Sequence, residues 1–150
     1  MAFKLSVESF PEGGEIPGAL TCDGSELSPV LHWQGEPQET KSFALIVDDP
    51  DAPGGTFTHW LLWNIPADIH SLAQTKRQAG TAGTNDFGKR GYSGPCPPRR
   101  GGMHRYFFRL FAIDTAELEL REGAQRAVVQ KAIEKHAIGE TSYMGRYERH

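Results

Sequence analysis

The chain has 150 residues, 38% hydrophobic and 23% charged, with a net charge of −3; this is the balance of one soluble globular domain, residues 1–150, and it speaks against nucleic acid as the main partner. No run approaches the ~18 apolar residues of a bilayer span, and the opening "MAFKLSVESF" lacks the apolar stretch of a signal peptide. Two cysteines, Cys22 and Cys96, are too few for a disulfide framework, so a reducing, cytoplasmic setting is expected.

In chain order, "KLSVES" alternates apolar and polar residues as a half-buried strand does, and "PVLHW" (Pro29 to Trp33) reads as a short strand. "SFALIV" (Ser42 to Val47) and "FTHWLLWNI" (Phe57 to Ile65) are rich in β-branched and aromatic residues, with Pro and Gly between them. "HRYFFRLFAI" (His104 to Ile113) is a further strand. In "AQRAVVQKAIEKHA", Val128, Val129, Ala132, Ile133, His136 and Ala137 fall at helical spacing, and Gly139 is placed to cap the helix. The strands are not separated by regular helices, so an antiparallel sheet or sandwich is expected, mostly β with a helix near the end. Seventeen glycines and ten prolines agree with a turn-rich chain.

Two stretches carry chemistry-bearing residues. In "ALIVDDPDAPGGTFTHWLLWNIP" the strand ends in two aspartates, and Pro50 and Pro53 stiffen the turn that orients Asp49 and Asp51. Ala52–Pro53 is a candidate cis bond. By strict alternation His59 shares a face with Phe57, Leu61 and Trp63, where an imidazole is either a packed core residue or a functional one. In the second stretch, Asp86 to Asp114, the loop "GYSGPCPP" feeds a strand that begins His104, Arg105, Tyr106. His104 and Tyr106 project to one face, and the loop glycines allow backbone N–H groups to form an anion nest. Between Phe87 and Ile113 lie Lys89, Arg90, Arg99, Arg100, Arg105 and Arg109 and no acid, read either as a solvated basic surface or as a field favouring an anion. Two imidazoles, a phenol and a carboxylate make a donor-rich set suited to phosphate or carboxylate, if they converge.

The blocks "DDPDAP…HW…WNIP" and "GYSGPCPP…HRYFFRLFA", with "SPVLHW" and "NDFGKRGYSG", resemble the phosphatidylethanolamine-binding protein family, in particular its bacterial, Raf kinase inhibitor-like branch; the match runs from about Ser28 to Ile113. The resemblance implies a β-sandwich with a large antiparallel sheet, a smaller one, and helices that include one near the C-terminus. It also implies a small pocket for phosphate-type anions, phospholipid head groups among them. Carried onto matching positions, the ligand-binding residues are Asp49, Pro53, His59, Gly94, Pro95, His104 and Tyr106, with Asp51 and Ala52 as structural support and a cis Ala52–Pro53 bond.

The expected function is therefore a non-enzymatic binding protein for a small phosphate-bearing ligand, with no cofactor and no membrane insertion. The alternative is an inhibitor of a partner kinase or serine protease, and the resemblance adds a homodimer. A hydrolase is disfavoured: Cys96 lies between prolines rather than at a helix N-terminus, and the Ser93 context lacks the strand–turn–helix of a nucleophile elbow. Asp49, His59 and His104 are a legitimate ligand set for a metal, but without the tight spacing of a metal motif, and none is expected.

Overall fold

Strand β3 (Ser42–Asp49) is buried along its whole length, which explains its near-continuous apolar sequence. In the computed structural model, which describes residues 2–150, β3 is the centre of a five-stranded antiparallel sheet. The strands β4 (Phe57–Pro66) and β7 (His104–Ile113) flank it, with β6 (Thr81–Ala82) and β8 (Ala137–Tyr147) at the edges. A smaller antiparallel sheet of β1 (Lys4–Val7), β2 (Leu31–Gln34) and β5 (Ser71–Leu72) covers one face. The expected sandwich is thus present.

Period-two alternation divides the strand side chains between two cores. Phe43, Leu45 and Val47 join Trp60, Leu62, Phe108 and Leu110 against Leu5, Leu31 and Trp33 of the small sheet. Ala44 and Ile46 join Leu61 and Trp63 on the opposite face, under helix α1 (Arg126–His136). The helix contributes Val129 and Ile133 to this second core. Val128, on the expected stripe, is instead 55% exposed.

Four sequence expectations are corrected here. Gly139 does not cap α1: β8 follows directly from Ala137, which is extended, and Gly139 lies within β8 opposite Ala112. A Cβ there would sit 3.0 Å from the Pro37 ring, so close packing is what the glycine serves. The strand β8 itself was not foreseen: its exposure alternates, but Gly139, Thr141 and Gly145 hold three of the five inward positions of that alternation from Gly139 to Tyr147, so apolar residues do not mark the period. Of the helices the resemblance implied, the described residues form one α-helix and a short 3-10 turn, Gly18–Leu20. Finally, Cys22 and Cys96, 74 residues apart, form a disulfide. Their segments are brought together by the Cys22 N–H donating to Pro95 O (3.1 Å) and the Tyr92 hydroxyl donating to Leu20 O (2.6 Å). The bridge removes the ground on which a reducing compartment was expected. No helix among the described residues is long and apolar enough to cross a membrane.

The bridge closes a long loop, so its removal enlarges the unfolded ensemble. Replacing both cysteines by serine is expected to lower the unfolding free energy by about 4 kcal/mol, read as a reduced urea midpoint with an unchanged fold by circular dichroism.

Candidate functional site

The backbone register decides where His59 points. Val47 pairs with Trp60 and Asp48 with Thr58, so His59 is an extra residue in β4. A bulge of this kind resets the alternation and re-aims a side chain. His59 consequently joins the Trp60 face, its ring 5.3 Å from that of Tyr106 and 5.2 Å from that of Phe57. Leu61 and Trp63, expected beside it, lie in the opposite core.

The same face receives Asp49 from the end of β3 and His104 and Tyr106 from the start of β7. All four side chains are buried: Asp49 3%, His59 3%, His104 5% and Tyr106 1% exposed. His104 Nδ1 donates to Asp49 Oδ2 at 2.6 Å, and Asp49 Oδ1 accepts the Asp51 N–H at 2.8 Å. His59 Nδ1 meets Ser93 O at 2.8 Å; a carbonyl only accepts, so this nitrogen carries the hydrogen. Both imidazoles therefore spend Nδ1 on the protein and keep Nε2 without a protein partner. The Tyr106 hydroxyl is buried and meets no acceptor in hydrogen-bond geometry. Burial, then the nearby Asp49 charge, pushes its pKa up, so it stays a neutral donor. Burial also lowers the His59 pKa, against the opposing pull of the Ser93 carbonyl and Asp49.

The flanking loops are braced from within. Asn85, itself buried, donates through Nδ2 to His59 O, Gly91 O and Ser93 Oγ. The Gly94 N–H donates to Glu26 Oε2 at 2.9 Å, the Ser93 N–H to His59 O and the Gly91 N–H to Gly83 O. These donors are turned into the protein, so the loop does not form the anion nest its glycines allowed. Gly94 has a packing reason instead: a Cβ would lie 2.2 Å from Leu20 O. Pro95 is buried and supplies its carbonyl to Cys22. Pro53 stands exposed in the turn, and Ala52–Pro53 is trans, the ordinary isomer, as are the other described bonds. Asp51 grips Arg105 through Nε and Nη2, at 2.9 Å each, and through its backbone N–H at 3.0 Å. That guanidinium holds the Asp51 carboxyl at about 2, and the residue locks the turn to β7.

Three of the six cations in the acid-free basic stretch are paired by acids from elsewhere. Arg105 meets Asp51, Arg109 meets the buried Asp48, and Arg90 meets Glu122. The field the sequence allowed is therefore weakened where the chain folds. A groove of about 570 Å³ lies apart from the His59–His104 constellation, lined by Trp60, Tyr92, Arg90 and the 74–82 segment. Among the described residues no cluster of three or more His, Cys, Asp or Glu is placed to hold a metal.

The phosphatidylethanolamine-binding protein family model matches residues 6–148. The chain belongs to that family. A UPF0098 protein from Methanothermobacter thermautotrophicus is 48% identical over 97% of this chain and 99% of its own length. One from Aquifex aeolicus is 44% identical over 94% of this chain and 85% of its own length. The solved structure of a family homolog from Chlamydia trachomatis superposes with a TM-score of 0.92 at 34% identity, covering 99% of both chains. The YbcL protein of E. coli, described as a member of the mammalian family, gives 0.93 at 32% identity over 100% of both.

Within this family fold, two residues that shape the constellation carry no sequence signal of that role. Ser93 orients His59 through its carbonyl, a role any residue type could fill and no motif marks. Asn85 stands out in the sequence only as part of a motif, and its buried amide ties His59, Gly91 and Ser93 together. Because burial favours the neutral imidazole, His59 should titrate below ~6.5, the ordinary histidine value, in a proton NMR titration. The neutral form is the one the fold stabilises. Its contribution is complete above ~6.5 and is lost as pH falls from there towards the lowered value, as the unfolded chain takes up the proton first. Urea midpoints measured across this window should fall less steeply in His59→Gln.

Proposed function

We propose that this family member is a binding protein for a phosphate-type anion, held between His59 and His104 with Tyr106 as a neutral donor. The observation that carries this reading is the arrangement of the two imidazoles. Each has Nδ1 anchored by a protein acceptor, Ser93 O or Asp49 Oδ2, and each keeps Nε2 for a ligand. Anchoring fixes the ring orientation in advance, so a ligand does not bear the cost of ordering it. A protonated Nε2 donates a charge-assisted bond to a phosphoryl oxygen, and the Tyr106 hydroxyl adds a neutral one. The Asp49 carboxylate accepts from Nδ1 of His104 and so fixes which nitrogen of that ring is left for a ligand.

The reading is binding rather than catalysis. Of the two nucleophiles the sequence offered, Cys96 is in a disulfide, and Ser93 Oγ is buried and receives the Asn85 amide. Among the described residues neither the Ser93 Oγ nor the Cys96 Sγ is hydrogen-bonded to an imidazole or a carboxylate.

The test is a titration with inorganic phosphate, following the imidazole signals of His59 and His104. Saturable shifts in both are expected, with affinity rising as pH falls below ~6.5 because the lowered His59 pKa makes proton uptake accompany binding. His59→Ala and His104→Ala should each weaken binding about tenfold or more. Flat titrations of the folded protein would remove the reading.

A further inference from the structure

The small sheet ends at β5 and the large sheet at β6, each only two residues long. The segment joining them, 73–80, carries no regular structure. Together with the loops at 25–28 and 90–92 it lines the groove of about 570 Å³, a volume in the range of small-molecule sites. Trp60 and Leu62 reach the groove from β4, and Tyr92 stands edge to face with Trp60 at 5.3 Å. Leu27 adds a large apolar side chain that is 42% exposed. These walls are fastened from behind. The Tyr92 hydroxyl donates to Leu20 O, the Leu27 N–H to Ala19 O, and the Gly94 N–H to Glu26 Oε2. The Gln78 amide donates to Ala73 O and Thr75 O and holds the 73–78 turn together. Walls tied in this way need little ordering when a ligand enters. Three cations and two acids line the groove, which leaves an excess of positive charge. Arg90 is paired with Glu122. Lys76 and Arg77 are exposed and, among the described residues, meet no acid. Cations on an open surface are simply solvated, but these two border a concave, partly aromatic lining.

We propose that this groove is a second binding site, separate from the His59–His104 constellation, and that it takes a compact aromatic carboxylate. The ring of the ligand lies against Tyr92 and Leu27, and its carboxylate meets Lys76 and Arg77. An aromatic body suits the Tyr92 ring, which gains from edge or offset contact beyond the area it buries. A guanidinium holds a carboxylate through two parallel N–H donors, and the neighbouring ammonium adds a point charge. The apolar and the cationic groups border one groove of small-molecule size, so the distance from ring to carboxylate is short. The site does not depend on the anion reading of the imidazoles, because the groove contains neither of them.

The experiment titrates the full-length protein with naphthoate and with naphthylmethanol, its neutral counterpart of similar size. It follows the backbone amide signals of Leu27, Ala82 and Tyr92 beside the imidazole signals of His59 and His104. Saturable amide shifts are expected with both compounds, naphthoate binding a few-fold to about tenfold more tightly. Lys76→Gln combined with Arg77→Gln should bring the two affinities together and leave that of the alcohol unchanged, whereas Leu27→Ala should weaken both. All three side chains are exposed, so these variants keep the fold. In His59→Ala the groove should bind naphthoate as before. Equal affinities in the native protein, a preference that survives the double substitution, or no amide shift with either compound would overturn the proposal and leave the anion reading untouched. Naphthoate shifts confined to His59 and His104 would also overturn it, by placing the carboxylate in the anion site.

Discussion

Two consecutive carboxylates end the central strand, and strand geometry sends them to opposite faces of the sheet. Both are almost fully buried, Asp48 at 1% and Asp49 at 3% exposure, and a buried carboxylate has to be paired. Asp48 takes the helix side, where Arg109 grips it at 3.1–3.2 Å and Arg126 at 2.9 Å. Arg126 begins α1 and also donates to Thr58 Oγ1 at 3.0 Å, so one carboxylate joins the helix, β4 and β7. Asp49 takes the sandwich side and holds His104. The dipeptide is in effect a junction: one member fastens the layers together, and the next orients an imidazole.

The bulge at His59 completes that junction from the neighbouring strand. Without the extra residue, the imidazole would share the face of Leu61 and Trp63 and be buried beneath the helix. With it, His59, His104, Tyr106 and Asp49 come from three adjacent strands of one sheet and face the same way. His104 takes its partner from the end of β3 and His59 from the loop at Ser93, and the flanking loops are made rigid by Asn85, by the Asp51–Arg105 grip and by the Cys22–Cys96 bridge. A side-chain constellation built on strands and steadied by bonded loops has its geometry fixed in advance.

Much of this was legible in the chain. The strands from Ser42, Phe57 and His104 are apolar, β-branched and bounded by turn residues, and they stand where the pattern places them. The motif blocks pointed to the family the chain belongs to, and they contained Asp49, His59, His104 and Tyr106. Less legible was whatever depends on an exception to periodicity. The reversal of face at His59 comes from one unpaired residue in a ladder. The helix-to-strand junction at Ala137 passes without a glycine, and β8 is an edge strand that turns Gly139, Thr141 and Gly145 inward, so its alternation is not written in apolar residues.

The sequence by itself determined the local quantities: which segments are extended, which turns are stiff, and which side chains can donate, accept or carry charge. These follow from residue type and short-range spacing. Only the tertiary structure decided the pairings across long separations. Cys22 and Cys96 meet over 74 residues, the basic stretch finds its acids on other segments, and the Gly94 N–H goes to Glu26 rather than to a ligand. The physical reason is that a hydrogen-bond donor or a charge carries no address of its own. Its partner is chosen when burial of the two cores fixes the register of the strands, and a polar group left inside is then satisfied by whatever lies nearest or, like the Tyr106 hydroxyl, is left without a partner.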